Sequence, residues 1–159
     1  MFLLFQIGLA SIFLLFSTIA SWYEGSAIVE NTWEWKYSTP FSQLLYGQVQ
    51  NSSDISQLDY FIYAVKFQPT FPVIMVISCL YLMILIGFHF FKKQYKWFTC
   101  YLSFLGGGLF FLSYFIFTSP TIGGKVLFLA LLLSGLFCIL LAALTYFHIL
   151  NRHTKEITN

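Results

Sequence analysis

The sequence predicts an all-α membrane fold: a four-helix transmembrane bundle with a small mixed α/β extracytoplasmic domain between helices 1 and 2. Three observations carry that reading. The 159 residues are 58% hydrophobic and only 9% charged, and the mean hydropathy is +0.78. An average soluble domain carries roughly 25% charged residues, and a soluble globule this small leaves too much surface wet to hide so much apolar side chain. Four apolar runs contain no Asp, Glu, Lys or Arg, and each has roughly the 20 residues that cross a ~30 Å hydrocarbon layer as a helix. A polar but aromatic-rich segment, residues 23–70, separates the first two runs.

Residues 1–22 form the first expected membrane helix. The pattern Thr18-Ile19-Ala20 before Ser21 resembles a small-residue cleavage site. The run nevertheless lacks a basic leading region and exceeds the ~7–15 apolar residues of a signal peptide, so it reads as a retained helix. The remaining spans are expected at 71–91, 97–117 and 126–150, followed by a cytoplasmic tail, 151–159. Backbone groups in lipid must pair within their own segment, which makes all four runs helices.

Within residues 23–70, Trp33-Glu34-Trp35-Lys36-Tyr37 alternates aromatic and charged residues, a period of two that predicts a short half-buried strand. Thr39-Pro40 then reads as an N-cap with proline at the first helical position, opening a helix from Pro40 to Tyr46 that stops at Gly47. Asp54 with Gln57 fits a capping box for an amphipathic helix reaching Phe67. Ile55, Leu58, Ile62 and Val65 recur along it at helical spacing and form its expected buried face. Asp59 and Lys66 fall on other faces, and Asp59 and Glu30 are expected to be exposed. Gln68-Pro69-Thr70-Phe71-Pro72 breaks this helix before the second span.

Orientation follows from basic residues in short loops. Lys92-Lys93-Gln94-Tyr95-Lys96 joins the second and third spans, and Arg152 and Lys155 follow the fourth. Both belong on the cytoplasmic side, so the N- and C-termini face the cytoplasm. Residues 23–70 then lie outside with Glu24, Glu30, Glu34, Asp54 and Asp59 against Lys36 and Lys66. Trp22, Tyr23, Trp97, Tyr101, Tyr146 and Phe147 near the run ends match an aromatic belt at lipid headgroups.

Helices in lipid associate through small residues. Ala130, Ser134, Cys138 and Ala142 lie four apart on one face of the fourth run, and Gly107 sits in the glycine triplet of the third. These five are the expected packing contacts between the last two helices. Chemistry is sparse. Cys79, Cys100 and Cys138 all lie in apolar runs without a CxxC pair, which disfavours a disulfide framework or a zinc site. His89 and His148, near the cytoplasmic ends of their helices, are too few for a metal. No nucleophile elbow, HExxH, phosphate loop or calcium loop is present. No catalytic residue, cofactor or metal is therefore expected. The net charge of +2 argues against a nucleic-acid partner.

The expected partners are the lipid bilayer and another membrane or envelope protein. The candidate interaction surface is Glu24, Trp33, Trp35, Tyr37 and Asp59. Glu24, at the membrane boundary where a carboxylate is costly unless paired, calls for Lys66 or Lys36 as partner. The competing function is a transport or channel component, but no ionisable group lies at midplane depth in any run.

The stretches Ser21-Trp22-Tyr23-Glu24-Gly25-Ser26, Trp33-Glu34-Trp35-Lys36-Tyr37-Ser38-Thr39-Pro40-Phe41 and Asp54-Ile55-Ser56-Gln57-Leu58-Asp59-Tyr60 resemble the YjdJ-type family. These are small membrane proteins of Bacillus-like bacteria, and the resemblance covers roughly residues 1–93. It implies a bacterial plasma membrane and supplies no catalytic residue.

Overall fold

A computed structural model describes the backbone of residues 2–92 and 94–158, and side chains as far as Phe147. The side chains of His148 and of the expected tail, 151–159, lie outside the described residues. The elements are α1 (Phe2–Gly25), α2 (Trp35–Ser38), α3 (Pro40–Tyr46), α4 (Gln57–Phe67), α5 (Thr70–Phe90), α6 (Tyr95–Phe117) and α7 (Ile122–Thr158). Short 3-10 turns at Ser26–Val29, Thr32–Glu34 and Ser52–Asp54 link the small helices. Among the described residues, four helical stretches, Phe2–Val29, Thr70–Phe90, Tyr95–Phe117 and Ile122–Phe147, are long and apolar enough to cross a membrane.

No strand is present among the described residues, so the expected mixed α/β domain is instead an all-helical cap. The correction falls on Trp33–Tyr37. A lone strand leaves its backbone donors and acceptors unpaired, whereas a helical turn pairs them locally. The chain takes the second course: Glu34 N donates to Asn31 O at 3.1 Å, and Trp35 begins α2. The Trp35 indole then folds back and donates from Nε1 to Ile28 O at 2.9 Å.

The long helices form two close pairs. Packed against α5 and α4, α1 buries Ala10, Ser17, Ser21 and Gly25, small residues at steps of seven, four and four along the helix. Phe16 meets Phe71 edge-on at 5.9 Å near the capped end of this pair. Between α6 and α7, Gly106 and Gly135 face each other closely. A Cβ on Gly106 would stand 2.9 Å from Ile139 Cδ1 and 3.1 Å from Gly135 O. The same interface buries Leu102, Leu109, Leu127, Leu131, Cys138 and Ala142. Thr99 and Thr145 share a hydrogen bond between their hydroxyls at 2.9 Å.

The pairs are joined by a cluster of Leu80, Leu109, Leu127, Leu131 and Cys138, and by α4, which lies across the ends of α1 and α7. Two glycines admit it. A Cβ on Gly25 would fall 1.9 Å from Tyr60 O, and one on Gly123 would fall 2.0 Å from Val65 O. Backbone therefore rests on backbone on two sides of α4.

Candidate functional site: the helical cap

The cap is organised by polar groups at its centre and apolar groups around them. Asp59 is fully buried rather than exposed, which overturns its expected surface position. Its Oδ1 accepts from Phe41 N at 2.9 Å. Its Oδ2 accepts from Ser42 N at 2.9 Å and from the Ser42 hydroxyl. Ser42 Oγ in turn accepts from Ser56 N at 2.7 Å. The carboxylate thus supplies acceptors for the unpaired amides at the start of α3, where a helix leaves its first donors unsatisfied and favours negative charge. Pro40 opens that helix and Gly47, at φ +78°, closes it.

The buried face of α4 accordingly differs from the expected one. Ile55, just before the helix, is buried, but Leu58 is exposed and Ile62 and Val65 are only half-buried. Asp59, Tyr63 and Ala64 face inward instead. Its start also shifts: Ser56 caps α4, accepting from Leu58 N at 3.3 Å. The capping box belongs to Asn51 and Asp54 on the preceding 3-10 turn. Ile28, Ile55 and Tyr63 make the cap's small apolar core, with Trp35, Val49 and Tyr60 packed against it.

A second polar chain ties α2 to α4. Lys66 Nζ donates to Tyr37 O and to Ser38 Oγ at 2.9 Å, and Ser38 Oγ donates to Glu34 Oε2 at 2.8 Å. Burial holds the Lys66 ammonium below the ordinary lysine range, and the Glu34 carboxylate raises it partly back. Lys66 is therefore occupied, and Glu24 takes a different partner from the lysine expected. With the Gln68 amide nitrogen turned toward Glu24, it lies 3.0 and 3.1 Å from the two carboxylate oxygens.

Of the five candidate surface residues, Trp33 is 88% exposed and Tyr37 is also exposed. Glu24 and Trp35 are half-buried and Asp59 is buried, so the structure does not bring the five together as one patch. Exposed apolar side chains missed by sequence reasoning are Leu44, Leu45 and Tyr46 on α3. Their signal was available in Phe41-Ser42-Gln43-Leu44-Leu45-Tyr46, where only Ser42 turns inward. Of the five candidate packing residues, Cys138 and Ala142 are buried, Ala130 and Ser134 are half-buried, and Gly107 is exposed with open space around it. No group of three or more His, Cys, Asp or Glu able to hold a metal occurs among the described residues.

Beneath an all-helical cap, four helices long and apolar enough to cross a membrane define a class of small all-helical proteins. The family model described as a domain of unknown function, DUF4306, matches residues 4–91, and the chain belongs to that family. It is similar to the uncharacterized protein YjdJ of Bacillus subtilis (strain 168), with 39% identity over 84 residues, covering 52% of this chain and 77% of the relative. No solved structure matches the chain. The matched segment takes in α1, the cap and α5 up to its C-terminal end, and stops before α6.

Proposed function

We propose that the chain is a four-span protein of the bacterial plasma membrane, with both termini cytoplasmic, whose cap engages another membrane or envelope protein outside. The orientation is supported by charge in the sequence: Lys92, Lys93 and Lys96 lie between the second and third apolar runs, Arg152 and Lys155 follow the fourth, and all the acidic residues except Glu156 fall in the cap segment. The interaction reading rests on the exposure of Trp33, Tyr37, Leu44, Leu45 and Tyr46 on a cap whose interior is fixed by buried hydrogen bonds. Exposed aromatic and aliphatic groups held on a rigid support are what protein interfaces use as anchors.

Two measurements test the proposal. In a version with the native cysteines replaced, a cysteine at Ser52 is labelled by a membrane-impermeant thiol reagent in intact cells, and one at Gln94 is labelled only after permeabilisation. Labelling of the Gln94 site in intact cells overturns the orientation. A photo-crosslinking residue at Trp33 or Leu44 yields a discrete protein adduct in living cells, and one at Ile19 yields lipid adducts. Lipid adducts alone at Trp33 and Leu44 overturn the interaction reading.

A further inference from the structure

Between the α1–α5 pair and the α6–α7 pair runs a cleft of about 850 Å³. Its walls include Leu14 and Thr18 of α1, Met75 and Cys79 of α5, and Phe104 and Gly108 of α6. The Thr18 hydroxyl is satisfied by Leu14 O at 2.7 Å, so it asks nothing of an occupant. A second cavity, of about 670 Å³, is lined by Gly87, His89, Phe90, Lys92, Gln94 and Tyr101. The Tyr101 ring borders both cavities. It packs on Gly87, where a Cβ would meet it at 2.4 Å, and its hydroxyl donates to Met83 O at 3.0 Å.

The two cavities adjoin at Tyr101, which lines both. On α5, Met75, Cys79 and Met83 of the first lead to Gly87 and Phe90 of the second at steps of three and four, which is a single helix face. From Met75 to Gly87 that face is about 18 Å long at 1.5 Å per residue. The apolar part ends at a cationic and hydrogen-bonding mouth. The segment from Gln68 to Lys155 contains no Asp or Glu, although Glu156 follows it, and Lys96 lies in the first turn of α6.

We propose that this cleft is a binding site for an anionic glycerophospholipid, with an acyl chain along α1, α5 and α6 and the phosphate at Lys92, His89 and Gln94. Apolar wall and basic mouth match the two ends of such a molecule, and basic pockets beside membrane helices recognise anionic headgroups. A helix from a second copy or another protein is a poorer match. Helix association in lipid draws on small residues; Ser17, Ser21, Gly106 and Gly135 are buried within the chain, and the cleft wall keeps only Thr18, Cys79 and Gly108 as small residues. Leu, Met and Phe dominate the cleft wall.

The site rests on the membrane-spanning reading above, and the test separates the two. The full chain is extracted from membranes in mild detergent and titrated with dioleoyl-phosphatidylglycerol or dioleoyl-phosphatidylcholine, with retained lipid read by native mass spectrometry. One phosphatidylglycerol is retained at least fivefold more tightly than phosphatidylcholine. Lys92→Gln removes that preference, and Gly108→Trp, which fills the cleft, abolishes retention of both with helical content unchanged. In lipid nanodiscs, phosphatidylglycerol with a photoreactive acyl chain marks Met75–Met83 and Phe104–Leu112. Equal retention of the two lipids, adducts spread evenly over all four helices, or a lipid-free dimer resistant to dilution each overturns the site. Recovery of the chain in the soluble fraction overturns the membrane reading instead.

Discussion

Asp59 carries a charge into the interior of the cap, and its three donors explain how the fold tolerates it. An ionised carboxylate buried alone is prohibitive; here Phe41 N, Ser42 N and the Ser42 hydroxyl surround it. Hydrogen bonds to a charged group contribute about 1.5–3 kcal/mol, and losing one leaves its partner stranded. Asp59→Asn keeps the shape but turns an amide N–H₂ toward one of these donors. The expected result is a loss of roughly 1.5–3 kcal/mol of cap stability, seen as ten- to hundredfold faster hydrogen exchange at the Phe41 and Ser42 amides. Asp54→Asn, in a more exposed turn where Asp54 accepts from Asn51 N at 3.1 Å, changes exchange at those two amides much less. Equal effects of the two substitutions would mean that Asp59 does not hold α3 in place. The role of Asp59 was hidden in the sequence because its donors lie 17 and 18 positions away, beyond any local capping pattern.

At the scale of elements, legibility followed the range of the forces involved. The long helices were readable because apolar runs without charge admit few alternatives in lipid. The short α3 was readable because Pro40 and Gly47 punctuate it locally. The strand expected at Trp33–Tyr37 failed because five alternating residues say nothing of whether a second strand exists to pair with them, and none does among the described residues. The packing of α6 on α7 was half legible. A stripe of small residues marked the right helix, but the crossing runs through Gly106 and Gly135, while Gly107 points into open space. Single-residue steps rotate a helix by about 100°, so neighbours in a glycine triplet have opposite fates. Gly106→Leu should therefore destabilise the α6–α7 pair by roughly 1–3 kcal/mol through overpacking, and Gly107→Leu should be near neutral. Thermal unfolding in detergent decides, and equal shifts for the two would place the crossing elsewhere.

For the whole molecule, α4 is the element that contacts both helix pairs at once. It touches α1 at Gly25 and α7 at Gly123 through its own carbonyl groups, Tyr60 O and Val65 O. Tyr60 and Val65 are less than two turns apart, so a single rigid helix spans both contacts and fixes the cap to both pairs at once. Neither glycine was conspicuous in the sequence, because each matters only through a segment brought to it by the fold. A methyl group at either position meets main-chain atoms that no side-chain rotation can move aside. Gly123→Ala should therefore push α4 off the end of α7, lower the unfolding temperature, and loosen the spacing of the pairs. Spin labels placed at Ile12 and Leu133, both on exposed faces of α1 and α7, report that spacing directly in a chain freed of its native cysteines. The distance distribution should broaden and shift in Gly123→Ala and in Gly25→Ala, and stay unchanged in Gly8→Ala, where a Cβ meets nothing within 4 Å. An unaltered distribution in the first two would show that the apolar cluster of Leu80, Leu109 and Leu131 positions the pairs without help from the cap.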